Sequence, residues 1–289
     1  MYTGGYMTKL MIIPNKKDIK SLLKINNCFL IGLNNYSINF ETTFSLDEIK
    51  ELSKQNIELF VAINKNLHTD ELEDVKKILY ELEKINIKGL LYYDVSIVKM
   101  VNEENLNIPL VWSQEHLTTN YGTINFWKDF AVNSTYLSPD ITLQEIIEIR
   151  KNTTAKLIVP IFGYLPMFVS ERHIVDNYIN YFKLNGKKEI NYLQKEDKKY
   201  PIVDEKVGTT VYANNILNGY QEYLELDKMN IDYVTMNQFG IDINTFKKII
   251  NIFKEKKDNQ EIIINELLNN QTSKHFLHKE TIYRVKNHE

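Results

Sequence analysis

The sequence predicts an α/β fold, a (β/α)8 barrel of the TIM type, on three observations. Eight short apolar runs recur along the chain. Helix-patterned segments separate most of them. Each run ends in a cluster of polar residues. Strands that alternate with helices pair in parallel, and eight such strands close into a barrel whose strand ends share one mouth, where these barrels carry their chemistry.

The runs, in order, are KLMII before Pro14-Asn15, CFLIG before Leu33-Asn34, ELFVAI before Asn64-Lys65-Asn66 and KGLLYY before Asp94. Then come PLVW before Ser113-Gln114-Glu115-His116, NSTYL before Ser138-Pro139, KLIVPIF before Gly163-Tyr164 and DYVTM before Asn237-Gln238. The helices between them announce their starts. Ser45 precedes LDEIKEL with Glu48 three residues on, a capping box. Thr69 precedes DELEDVKKILYELEKI, whose apolar residues at 72, 75, 78, 79, 82 and 85 form one helical stripe. TLQEIIEIRK after Asp140 repeats the pattern. INTFKKIINIFKEKK (243–257) is the expected eighth helix, and NQEIIINELLNN a further terminal one.

The spacing breaks once. About seventy residues separate runs seven and eight, twice what a βα unit needs, so 164–217 is expected to be an insertion in a single barrel domain spanning 1–289. SERHIVDNYINYF reads as a helix. KKEINYLQKEDKKYPIVDEKVGTTVYANN, with short Tyr/Ile/Val/Thr runs between charged turns, reads as a hairpin or small sheet. A segment this long in a compact domain is usually functional.

A chain of 289 residues that is 43% hydrophobic and 25% charged is ordinary for a soluble protein. A net charge of −3 exerts no global pull on nucleic acid. Of the 35 basic residues only three are Arg, at 150, 172 and 284, which singles out Arg172. Cys28 is the sole cysteine; within a strand it reads as a buried inert thiol, and it excludes any disulfide or multi-thiolate site. No apolar run reaches the ~18 residues of a membrane span, and no secretory leader pattern opens the chain. MYTGGY before Met7 reads as an extension ahead of a start. A cytoplasmic protein is expected.

Several strand ends offer chemistry, each with a plainer reading beside it. Glu115 and His116, after Ser113 and Gln114, suit a general base and acid, or else a strand-to-helix turn with Thr118 or Thr119 as cap. Arg172 and His173, on the first turn of the insertion helix, suit a clamp on phosphate or carboxylate, or a surface ion pair with Glu171 or Asp176. Asn64, His68, Asp94, Gln114, Asn120 and Tyr164 are candidate substrate contacts. Against this, His68 stands beside the Thr69 cap, Asp94 reads as a helix cap, and Tyr164 with Met167 could plug the mouth. His68, His116 and His173 could converge, yet no ligand spacing calls for a metal, and His275 and His278 read as solvated tail. Lys183, Lys187, Lys188, Lys195, Lys198 and Lys199 alternate with Tyr178, Tyr181, Tyr192 and Tyr200, a mixture suited to single-stranded RNA or to a plain solvated surface. No nucleophile elbow, P-loop or dinucleotide fingerprint is present.

Four blocks in order resemble the bacterial peptidase U-32 family, also called collagenase-like peptidases. They are FVAINKNLHTDELEDVKKILYEL (60–82), LVWSQEHLTTNYGTINFWKDFAVNSTYLSPDITLQEI (110–146), VPIFGYLPMFVSERHIVDNYINYF (159–182) and YPIVDEKVGTTVYANNILN (200–218). The resemblance implies proteolysis by name, and by its better understood members hydroxylation of quinones or RNA, notably the tRNA wobble uridine, often with an iron–sulfur cluster. Cluster-bearing members carry cysteines where this chain has Gly163-Tyr164-Leu165-Pro166 and His173, and it has none elsewhere to replace them, so no cluster and no other cofactor is expected. The expected function is an enzyme or accessory subunit in tRNA modification; the alternatives are a peptidase or hydrolase, and a non-catalytic binding barrel. The expected partners are tRNA or a peptide substrate, and a second family member, with no membrane.

Overall fold

The computed structural model describes residues 7–114, 117–184 and 190–279. Eight strands close into a parallel barrel. They are β1 (Lys9–Ile13), β2 (Cys28–Leu33), β4 (Glu58–Ile63), β5 (Gly89–Tyr92), β6 (Leu110–Trp112), β7 (Ser134–Tyr136), β8 (Lys156–Ser170) and β12 (Tyr233–Asn237); β3 is the two-residue strand Thr43–Phe44 beside the end of β2. Their order is β12-β1-β2-β4-β5-β6-β7-β8, and β8 returns to β12. All eight expected runs are barrel strands, so Asn64, Asp94, Gln114, Ser138, Gly163 and Asn237 stand together at the C-terminal end.

Helices α1 (Ile19–Leu22), α2 (Leu46–Ser53), α3 (Leu72–Glu83), α4 (Ser96–Glu103), α5 (Tyr121–Trp127), α6 (Leu143–Asn152), α8 (Tyr220–Lys228) and α9 (Ile243–Glu255) follow the strands. Ser45 and Glu48 form the expected capping box on α2, and Thr142 with Glu145 forms one on α6. The third helix starts differently from its expectation. His68 is the N-cap of a single 3-10 turn, Thr69–Glu71, and the α-helix begins at Leu72. No described helix is long and apolar enough to cross a membrane.

Alternation along the strands builds two shells, because successive side chains point to opposite faces. Met11, Ile13, Cys28, Leu30, Phe60, Ala62, Leu91, Val111, Ile158 and Tyr233 fill the barrel interior. Phe29, Ile31, Leu59, Val61, Leu90 and Leu110 face the helices. On α9, Phe246, Ile249, Ile250 and Phe253 are wholly buried, each worth about 1.5–3 kcal/mol. Gly89 is a glycine because a Cβ there would lie 2.8 Å from both Phe60 and Val111; its absence lets the Phe60 ring fill the barrel and meet Tyr233 edge-on at 5.2 Å.

The seventh strand runs further than its apolar core suggests. β8 continues through Gly163-Tyr164-Leu165-Pro166 to Ser170, leaves the barrel and pairs with β11 (Gly208–Asn218). β9 (Asn191–Lys195) and β10 (Lys198–Glu205) complete an antiparallel ribbon, and α7 (Ile174–Phe182) packs on it. The expected helix and small sheet are both present, but the helix starts at Ile174, so Arg172 and His173 lie in the turn before it. After α10 (Glu261–Leu267), β13 (Thr272–Ser273) adds to β11. In the described part of the tail His275 is partly buried, contrary to the solvated reading, whereas His278 is exposed and yet engaged. His275 Nε2 donates to the Asn215 carbonyl at 2.9 Å, and His278 lies 2.6 Å from the buried Glu222 carboxylate. The reason is Glu222 itself, since a buried carboxylate needs cationic or hydrogen-bonding partners; Lys274 supplies another at 2.8 Å.

Candidate functional site

The mouth is shaped by one glycine. Gly163 has φ +114°, and a Cβ there would lie 2.6 Å from the Asn237 carbonyl. This close approach lets β8 cross β12 and turn outward, carrying Tyr164 over the barrel. The Tyr164 ring meets Phe239 edge-on at 5.6 Å, and Phe239 stacks on Tyr212 of the ribbon at 4.1 Å. Beneath lies a cavity of about 70 Å³ bounded by Phe40, Asn64, Ser113, Tyr136, Tyr164 and Asn237. Inside it the Tyr136 hydroxyl and Thr235 Oγ1 are 3.0 Å apart.

Beside the mouth the ribbon overhangs the ends of β2, β4, β5 and β6 and leaves a groove of about 430 Å³. One wall is Asn64, Lys65, Asn66 and Tyr93; the other is Met167, Phe168, Val169 and Glu171, with Asn39 and Ser113 shared with the mouth. Met167 and Phe168 are 57% and 52% exposed, high for large apolar side chains. His68 Nε2 and Glu171 Oε2, 3.3 Å apart, span the gap between the β4 loop and the ribbon.

The candidates divide by what already occupies them. Asn64 pairs with Ile38 through both ends of its amide, at 3.1 and 2.9 Å, and so holds the β2 loop. Asp94 accepts from Ser96 N and Leu67 N and so ties the turn before α4 to the β4 loop, while the N-cap position of α4 is Val95. Gln114 donates to the Tyr93 carbonyl at 3.2 Å, and its buried Oε1 has no partner among the described residues. Asn120 caps α5 by accepting from Thr123 N. Arg172 is exposed, and its guanidinium makes no ion pair among the described residues; Glu171, a partner considered for it, meets His68 instead. His173 lies with Asp176 and Asp204, their ligand atoms within 4.8 Å of one another, but Asp204 already accepts from Val175 N and Asp176 N and so caps α7. Glu115, His116, Lys187 and Lys188 lie outside the described residues.

Of the insertion's other candidates, Tyr178, Tyr181 and Tyr192 are exposed, with Lys183, Lys195, Lys198 and Lys199 among them. Tyr192 pairs with Pro201 and Leu193 with Tyr200. Tyr192 and Tyr200 thus sit on opposite faces of the ribbon and do not form one platform.

Glu205, which the sequence concealed in a charged turn, holds a loop that lines both spaces. Its carboxylate accepts from Asn39 N at 2.9 Å and from the Tyr212 hydroxyl at 3.2 Å. Burial is the largest influence on it and raises its pKa to about 7 against these hydrogen bonds. Asn66, Tyr93 and Phe168 were equally unmarked, because an exposed amide or ring has meaning only beside the opposite wall.

The residues present do not fit an iron–sulfur cluster. Cys28 is buried inside the barrel, its thiol pushed up by burial and by nearby Glu58. Pro166 and His173, the two positions where the resemblance called for cysteine, offer no thiolate.

The sequence matches the profile of Peptidase family U32 over residues 21–286. It is 24% identical to tRNA hydroxylation protein P2 of Bacillus subtilis (strain 168), over 95% of this chain and 99% of that protein. It is 26% identical to tRNA hydroxylation protein P of Escherichia coli (strain K12), over 53% of this chain but 33% of that longer protein. Among solved structures, orotidine 5'-monophosphate decarboxylase from Sulfolobus solfataricus aligns over 86% of this chain and 99% of that one, at a TM-score of 0.45 and 11% identity. With the profile covering nearly the whole barrel and its ribbon, the chain belongs to Peptidase family U32.

Proposed function

We propose that this protein takes part in tRNA hydroxylation at the wobble uridine, as an enzyme or accessory subunit that carries no iron–sulfur cluster of its own. The observation that carries this reading is the end-to-end likeness to tRNA hydroxylation protein P2. A longer family member as companion subunit fits a chain that supplies no cluster ligands. The reading puts the protein in the cytoplasm with tRNA as its partner. Glu115 and His116, which follow β6 in the sequence, are the proposed acid–base pair, and Arg172 the proposed phosphate contact beside the groove. Asn64 and Asp94 then act by holding the loops that shape the substrate face.

The hydrolase reading has less support. Among the described residues no Ser, Thr or Cys side chain hydrogen-bonds a histidine ring, the pairing that activates such nucleophiles. The test is mass spectrometry of tRNA nucleosides from a deletion strain. The hydroxylated wobble uridine should disappear and return with the wild-type gene. An unchanged nucleoside profile, together with Glu115-dependent cleavage of a peptide, would reverse the two readings.

A further inference from the structure

We propose that the groove beside the mouth receives a single unstacked pyrimidine base from an RNA loop, an assignment that rests on the tRNA reading above. An enzyme or subunit that handles one base must take it out of its stack into a pocket, read its edge and cover its face. Size separates the two spaces at this end of the barrel. Small-molecule pockets occupy roughly 300–1,000 Å³; the groove, at about 430 Å³, falls within that range. The mouth cavity, at about 70 Å³, falls far below it.

The groove's polar groups divide in the same direction. Asn64 is committed to Ile38 and Lys65 to Glu71. The Asn66 amide, the Tyr93 hydroxyl and the Ser113 hydroxyl have no side-chain hydrogen bond among the described residues, and all three residues line this one space. The Watson–Crick edge of uracil presents carbonyl, N–H and carbonyl. A carboxamide complements two of these at once, donating to one carbonyl and accepting from the N–H, and a hydroxyl donates to the other carbonyl. Phe168, half exposed on the facing wall, offers the flat apolar surface on which an unstacked base rests. A free apolar ligand would leave the three polar groups unmatched, and a purely charged one would have no use for Phe168.

The test is binding to full-length protein, followed by fluorescence anisotropy. Two labelled anticodon stem-loop RNAs are compared, one with unmodified uridine at the first anticodon position and one abasic there. Wild type should bind the base-bearing hairpin at least roughly tenfold more tightly, the scale of one base–aromatic stack. Phe168→Ala and Asn66→Ala should each remove most of that preference and leave the affinity for the abasic hairpin unchanged. Both residues are exposed, so an unchanged Tm is the fold control; Tyr93→Phe, which keeps the ring, repeats the comparison if either variant fails to fold. Equal binding of both hairpins by wild type, or variants that keep the full preference, overturns the pocket and leaves the tRNA reading standing. Binding of neither hairpin at low salt overturns both. Competition by free uridine 5'-monophosphate at the hairpin's own concentration also overturns the pocket, because the ligand would then be a free nucleotide.

Discussion

The carboxylate of Glu205, carried by the ribbon, accepts the backbone amide of Asn39 in the β2 loop at 2.9 Å. The two residues lie 166 positions apart in the chain, and their contact joins the insertion to the loop that walls both the mouth and the groove. Burial raises the Glu205 pKa from 4.5 to about 7. The folded state therefore holds a proton that the unfolded chain releases. Stability from this group is fully present below pH 4.5 and is lost as pH rises through about 7. The loss is on the order of 3 kcal/mol. Glu205→Gln should flatten the pH dependence of urea denaturation between pH 5 and 8 and make the protein more stable than wild type at pH 8. An unchanged slope would show that the carboxylate is solvated.

Gly163→Ala tests the crossing of β8 and β12. Alanine would sit at φ +114° with its Cβ against the Asn237 carbonyl. Conformational strain and the backbone clash together should cost roughly 2–4 kcal/mol. Urea denaturation followed by circular dichroism measures it. A loss under 1 kcal/mol would mean that the strand path adapts freely.

Glu115→Gln, His116→Ala and Arg172→Ala should each abolish restoration of the hydroxylated nucleoside in the deletion strain. Arg172 is exposed with no described ion pair, so its variant should melt at the wild-type temperature. Full restoration by all three variants would assign them to turn and surface roles.

Cys28→Ala should leave nucleoside hydroxylation intact and destabilise the fold by about 1 kcal/mol, as loss of one small buried group does. The thiol, buried and raised, should resist a thiol reagent in native buffer and react fully in urea. Protein prepared anaerobically should be colourless and contain no stoichiometric iron. Loss of activity in Cys28→Ala with an unchanged melting temperature would give the thiol a role that its position does not explain.

Barrel strands were legible because each is a local pattern with its own stop. ELFVAI ends at Asn64 and DYVTM at Asn237, and both are strands in register with their neighbours. Ser45 and Thr142 were legible as caps for the same reason, since the partners Glu48 and Glu145 lie three residues away. GYLPMFVS was not legible as strand, because proline and glycine inside a run ordinarily end it. Here β11 accepts Pro166 at an irregular point of the antiparallel pairing and Gly163 permits the exit from the barrel. His275 misled as solvated tail, and the partner of the exposed His278 was hidden, because the carbonyl and the buried carboxylate that they meet, on Asn215 and Glu222, lie 60 and 56 residues upstream.

By itself the sequence determined the architecture of this protein. Eight strand–stop–helix units carry their own periodicity and caps, and parallel strands need both faces covered, which a barrel closed under a layer of helices provides. It also determined that no disulfide within the chain and no site of several thiolates exists, since one cysteine cannot make one. The substrate face was decided only by tertiary structure. Asn66, Tyr93, Ser113 and Phe168 belong to separate turns and strands with no shared local pattern, and they become one groove because the ribbon folds back over the barrel end. The pKa of Glu205 is decided in the same way: burial against Asn39 and Tyr212, not the chemistry of its own turn, brings it to neutrality.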